Sequence, residues 1–178
     1  MYAMKNTSKV LHKFKCRDFR VLIPLYKTFV RPYLEYNSVI WSPNTKKYDD
    51  KIEKVQMKML RLLPGFKKLS YQAKLKETKL LSLHARRIQH QLLLMYKMKN
   101  RVIDLRFEDF SGSILTIKQE EMYLKLMVPK SRSKAHQNFF TNACVKHWNR
   151  LTSSEIDVRT CSLFKKKILN YFDRENIW

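Results

Sequence analysis

The sequence predicts a mainly α protein: a helical bundle, then a linker, then a small α or α+β C-terminal segment. Apolar residues recur at steps of three and four through most of the first hundred positions, the spacing of one helix face. Only two glycines occur in 178 residues. Tight hairpins and glycine-rich phosphate loops lean on glycine, so its scarcity favours helices and disfavours a nucleotide P-loop. Composition divides the chain into a helical domain over 1–100, a linker over 101–123 and a C-terminal segment over 124–178.

Residues 2–14 carry Tyr2, Val10, Leu11 and Phe14, a short and weak helical pattern. Residues 18–41 carry Leu22, Tyr26, Phe29, Tyr33, Tyr36 and Ile40 at steps of 4, 3, 4, 3 and 4, which predicts a long helix burying that stripe. Pro24 and Pro32 interrupt it; each removes an amide donor and clashes with the preceding turn. A break is expected at one of them, Pro32 foremost. Residues 46–63 form the cleanest helix, capped by Asn44 or Thr45, with Asp49 and Asp50 suited to its positive end. Its expected apolar face is Tyr48, Ile52, Val55, Met59 and Leu62, and Pro64-Gly65 stops it.

Ser70 is the expected cap of a shorter helix to about Lys79, with Tyr71 and Leu75 on its face. Residues 83–99 should bury Ala85, Ile88, Leu92 and Met95. Residues 101–123 have three basic and five acidic residues, and ILTI and YLKLMV suggest a strand pair. PKSRSK is a basic loop. A helix over 137–150 carries Phe139, Phe140, Val145 and Trp148. Ser162 should cap a last helix with Leu163, Phe164, Ile168 and Tyr171 or Phe172.

Charge is the strongest functional signal. Lys and Arg total 37 against 15 Asp and Glu, a net of +22. Residues 1–100 hold 23 basic and 6 acidic residues, so most of the excess lies there. Such a balance points to a polyanion, either nucleic acid or an anionic membrane surface. No run of about 18 apolar residues exists to span a bilayer, and the first residues lack the apolar core of a secretion signal. Three unpaired-looking cysteines, Cys16, Cys144 and Cys161, suit a reducing, intracellular compartment.

Lys47, Lys51, Lys54, Lys58 and Arg61 recur at steps of 4, 3, 4 and 3, so they rise along one helix face and can follow a phosphate backbone. A charge row is usually the wet side of an amphipathic helix; here only Asp50 and Glu53 lie near enough to offset it. Lys67, Lys68, Arg86 and Arg87 add to the same half, and Lys130, Arg132 and Lys134 form a second basic group. His12, His84 and His90 lie beside basic residues. Tyr48-Asp49-Asp50 resembles the paired aspartates of polymerases, but the spacer those sites need would put the aromatic at Lys47. Compensation of the helix dipole explains the pair better. Cys144 and His147 have metal-ligand spacing without a second pair, so packing is preferred and no metal or other cofactor is expected.

LYKTFVRPYLEYNSVIWSP, KKYDDKIEKVQMKMLRLLPGFKKLSYQAKL and LSLHARRIQHQLLLMYKM together resemble the region after the palm in reverse transcriptases of LINE-type, non-LTR, Jockey-like retrotransposons. The family pattern runs LYK-x-LVRP-x-LEY, WSP, KLEKVQ, a P-G turn, LSYEERL and RR. PKSRSKAHQNFFTNACVKHWNRL and SLFKKKILNYF echo its basic stretch, its WN-x-L and its closing helix. Lys79 replaces a family glycine and His90-Gln91 a Gly-Asp, which points to a diverged copy.

The resemblance implies a thumb-like helical domain and C-terminal segment of an RNA-directed DNA polymerase. It implies nucleic-acid partners, RNA and DNA, held through the duplex backbone, and a nuclear location. The catalytic aspartates and their Mg belong to the palm and fingers, which this chain lacks, so no polymerase activity is expected of it alone. Arg31 and Glu35, at i and i+4, can pair. The alternatives are an unrelated basic nuclear nucleic-acid-binding or structural helical protein, or a peripheral membrane protein.

Overall fold

A computed structural model describes residues 18–43, 45–105, 116–117, 125–126 and 140–178. The fold is mainly α. Helix α1 (Phe19–Leu25) begins at Asp18, whose carboxylate accepts the Arg20 N–H at 2.8 Å. The chain then widens into a π-turn over Tyr26–Val30, where the Arg31 N–H reaches back to the Tyr26 carbonyl. Helix α2 (Arg31–Glu35) follows with Pro32 in its first turn. Asn37, at φ 52°, reverses the chain into the short α3 (Ser38–Trp41).

The expected break at Pro32 therefore takes the form of a π-turn. Pro32 has no N–H for the Thr28 carbonyl, and its ring would strike that carbonyl in a regular helix. One extra residue in the turn relieves the clash. It also shifts the phase of everything that follows. Leu22, Tyr26, Val30, Leu34 and Ser38 form a buried row at steps of four, with Ile23 buried beside Leu22. The expected stripe fails beyond Tyr26: Phe29, Tyr33, Tyr36 and Ile40 are 54%, 78%, 80% and 73% exposed.

Helix α4 (Lys46–Arg61) starts at Thr45, which makes no side-chain cap bond; the other cap candidate, Asn44, lies outside the described residues. Val55, Gln56, Met59 and Leu60 are buried, with Ile52 and Leu62 packed against the core. Tyr48 was expected on this inner face but is exposed, because the helix begins beyond the edge of the core. Gly65, at φ 77°, turns the chain into a 3-10 turn over Phe66–Lys68. Ser70 then caps α5 (Tyr71–Thr78) by accepting the Ala73 N–H at 3.2 Å. Lys79 ends α5 at φ 51°, and Leu80 N–H returns to the Leu75 carbonyl at 3.0 Å, closing a Schellman turn. Ser82 accepts the Ala85 N–H at 3.0 Å at the start of α6 (Leu83–Lys99). Leu22, Tyr26, Val30, Leu34, Val55, Met59, Leu60, Leu63, Leu75 and Leu83 belong to one continuous core.

Two compact units divide within α6, one over residues 1–86 with Trp178, the other over 87–177. In the second, Ile88, Leu92, Met95 and Tyr96 are buried, as are Phe140, Cys144, Val145 and Trp148 of α7 (Phe140–Trp148). Residues 2–14, 137–139 and most of the expected linker lie outside the described residues. The expected strand pair is present as β1 (Thr116–Ile117) antiparallel to β2 (Lys125–Leu126), with Thr116 opposite Leu126. Asn149 completes the edge, donating to the Leu126 carbonyl at 2.8 Å and accepting its N–H at 2.9 Å. Thr152 and Glu155 form a capping box on α8 (Ser153–Ile156). The last helix, α9 (Cys161–Arg174), is capped by Thr160, which accepts the Leu163 N–H at 3.3 Å; the expected cap, Ser162, lies two residues further in, inside the first turn. Phe164 of α9 stacks on Tyr96 at 4.3 Å between ring centres and tilts against Trp148 at 6.1 Å.

Two outcomes test these local structures. A left-handed non-glycine residue costs roughly 1 kcal/mol or more, so Lys79→Gly should raise the unfolding free energy by about 0.5–1 kcal/mol in urea titration. Burial pushes the Glu155 carboxyl up, but the Arg174 guanidinium at 2.9 Å and the Thr152 N–H at 2.8 Å outweigh it and hold the group below its ordinary range. Its contribution is therefore full above the ordinary carboxylate pKa and is lost as pH falls through the lowered value. Glu155→Gln should flatten the acid limb of a stability–pH curve between about pH 5 and pH 3.

Candidate nucleic-acid interface

Lys47, Lys51, Lys54, Lys58 and Arg61 are all exposed along α4. At about 1.5 Å per residue they form a continuous basic ridge. Lys51 Nζ sits 5.4 Å from the ring centre of the exposed Tyr48, so one end of the ridge combines cations with an open aromatic face.

The ridge faces outward because the opposite side of α4 is tied down by polar groups. Glu53 accepts the Leu83 N–H at 3.0 Å and the His84 N–H at 3.2 Å, and the Tyr71 hydroxyl donates to the same carboxylate. It thereby caps α6 from a different helix. One turn earlier, Asp49 pairs with His84 Nδ1 at 2.9 Å. One turn later, the fully buried Gln56 accepts from the Tyr26 hydroxyl at 2.6 Å and donates to the Leu81 carbonyl at 2.9 Å and to Tyr71 Oη at 3.1 Å. Burial first, then the charges of Glu35 and Glu53, raise the Tyr26 pKa; burial and Glu53 do the same for Tyr71. Both phenols stay protonated and remain donors. Of the α4 acids only Asp50 is exposed. Asp49 has a structural partner, so its role exceeds the dipole compensation expected from sequence.

The other candidates separate. Lys67 and Lys68 are exposed on the turn after α4. Arg86 is corrected as a phosphate contact: its Nε and Nη2 both donate to Glu35, the latter at 2.8 Å, and Arg31 Nε lies 3.6 Å from the same carboxylate. The expected Arg31–Glu35 pair is thus one arm of a triad. Arg87 is corrected too, because it is 2% exposed and no extended polyanion can reach it. Lys130, Arg132, Lys134 and His12 lie outside the described residues. Cys144 is buried, its thiol pushed up by burial, and His147 Nδ1 lies 2.9 Å from the Tyr171 hydroxyl. Among the described residues, no three His, Cys, Asp or Glu side chains gather as a metal site.

Lys74 escaped the sequence reasoning. It is 5% exposed on α5. Its signal was its place three residues after Tyr71 and four before Thr78, on the helix's inward stripe.

Glu53→Ala strips one carboxylate from three donors. Hydrogen bonds to a charged group contribute about 1.5–3 kcal/mol, and the stranded donors add their own cost. The variant should lose about 2–4 kcal/mol in urea unfolding, while Asp50→Ala, on the exposed side, should change little. Comparison with family models, curated proteins and solved structures finds no match to this chain.

Proposed function

We propose that the chain is a non-catalytic nucleic-acid-binding fragment that grips the duplex backbone through the α4 ridge, with RNA and DNA as partners. The carrying observation is the exposed row of Lys47, Lys51, Lys54, Lys58 and Arg61 on a helix whose Asp49 and Glu53 are turned inward. A net charge of +22 supplies long-range attraction to any polyanion. By its resemblance, the chain is the thumb and C-terminal region of a LINE-type reverse transcriptase, acting in the nucleus beside the palm and fingers that hold the catalytic Mg. Lys79 supports that descent. It stands at φ 51°, where glycine is favoured, at the position of the family's glycine.

One observation favours a second reading. Phe29, Tyr33, Tyr36 and Ile40 are exposed in the same unit, and basic plus aromatic surface also suits an anionic bilayer. Among the described residues no helix is long and apolar enough to cross a membrane, so this second mode is adsorption.

Salt separates contact from bulk attraction. Binding to an RNA–DNA or DNA duplex should fall with a log–log slope of about −0.9 per phosphate neutralised. Replacing Lys51, Lys54, Lys58 and Arg61 together by Gln should weaken binding on every sequence and flatten the slope by roughly two to four units. Circular dichroism should stay unchanged, since these side chains are exposed. An unchanged slope in the folded variant would refute the ridge. Stronger sedimentation with phosphatidylserine vesicles than retention by duplex, lost on Tyr33→Ser with Tyr36→Ser, would favour the bilayer instead.

A further inference from the structure

The re-phasing at Pro32 leaves Phe29, Tyr33, Tyr36 and Ile40 on the surface of the first unit, with Tyr33 and Tyr36 78% and 80% exposed. We propose that this face is a stacking platform for a single strand of nucleic acid, whose bases lie on the rings while its phosphates meet neighbouring cations. The proposal rests on the reading of the chain as a nucleic-acid binder, but it uses residues distinct from the α4 ridge.

Charge selects the occupant. From Phe19 to Tyr48 the sequence holds five basic residues, Arg20, Lys27, Arg31, Lys46 and Lys47, and one acid, Glu35. Glu35 is already engaged by Arg86. A second copy would bring the same cations, and a net charge of +22, against this face. An anionic partner meets no such repulsion.

Arg31 supplies an anchor that is more than a solvated cation. It stands between Phe29 and Tyr33 in the chain, and its side chain is 23% exposed. Among the described residues its guanidinium is held only by the 3.6 Å approach of Nε to Glu35, a carboxylate that Arg86 grips with two nitrogens. Loss of water, then the Arg86 charge, lower its pKa, with Glu35 offsetting them in part. Two guanidiniums thus share one carboxylate, and a phosphate would supply the missing counter-charge.

Ring chemistry separates a strand from a bilayer. The two most exposed rings are tyrosines, each ending in a hydroxyl, and Asn37 is exposed between Tyr36 and Ile40 in the chain. Burial in hydrocarbon would strip these polar groups of water. A stacked base uses only the ring face and leaves the edge wet. Trp41 is preset beside them: its indole N–H donates to the Tyr36 carbonyl, so less ordering is left for a ligand to impose. The chain then enters α4, where Lys51 over the Tyr48 ring repeats the pairing of cation and aromatic.

Fluorescence anisotropy with the full chain tests this, comparing a labelled oligothymidylate with a blunt DNA duplex of equal length. Tyr33→Leu with Tyr36→Leu keeps apolar bulk and removes both aromatic faces. It should weaken single-strand binding about tenfold or more and leave duplex binding and circular dichroism unchanged. Arg31→Gln should reduce the log–log salt slope for the single strand by about 0.7. Undiminished single-strand binding in the folded double variant would overturn the platform and leave the ridge untouched. A chain that sediments with phosphatidylserine vesicles, or self-associates through these tyrosines, without binding oligothymidylate overturns it in favour of a bilayer or a second copy. If replacing Lys51, Lys54, Lys58 and Arg61 by Gln leaves the duplex slope intact while tyrosine-dependent single-strand binding persists, the ridge fails and the platform stands. Binding to neither probe overturns both.

Discussion

The Glu53 carboxylate is the interaction on which the first unit depends. A helix start leaves four backbone N–H groups without partners inside the helix, and α6 meets this with Ser82 locally and Glu53 from α4. The negative charge also sits at the positive end of the α6 dipole. Because the same carboxylate receives the Tyr71 hydroxyl, one side chain of α4 ties together α5 and α6. Gln56, one turn along, extends the tie to the π-turn after α1 through Tyr26. Such directional bonds set the rotation of α4 about its axis in a way that apolar burial alone does not. With that rotation set, the lysines have one direction left, which is outward.

Pro32 exerts a second, backbone constraint. Its π-turn moves the buried stripe from Phe29 and Tyr33 to Val30 and Leu34. Glu35, beyond the turn, meets Arg86 and Arg31 with its carboxylate mostly buried. A pair in that setting is costly to break from one side, so it pins α2 to the start of α6 and withdraws Arg86 from any surface role. The exposed aromatics are the other consequence of the same extra residue.

Charge is distributed by the same logic. The acids of the first unit are largely engaged as structural acceptors: Asp18 caps α1, Glu35 holds Arg86, Asp49 holds His84, and Glu53 caps α6. Each acid used internally leaves the outer surface more positive. The unit's stability and its attraction for polyanions thus share one cause. In the second unit Glu155 does comparable work, closing a capping box and receiving Arg174.

Much of the fold was legible in the sequence by itself. Helical spacing marked α4, α5, α6 and α9, because each buries one face and repeats near 3.6 residues. Ser70, Pro64-Gly65 and the strand pair were readable from local chemistry, as was the basic ridge, since every member lies on one helix. Tertiary structure alone decided what depends on partners distant in the chain. Periodicity carries no mark of a π-turn that re-phases it, so the exposure of Tyr33 and Tyr36 was hidden. An Arg-Arg pair reads as basic surface until Glu35, 51 residues away, claims one member and burial removes the other. Glu53 reads as a counter-charge to its neighbouring lysines until α6 places two backbone donors before it. Local spacing specifies which face of a helix is wet; only packing specifies which charges on it are already taken.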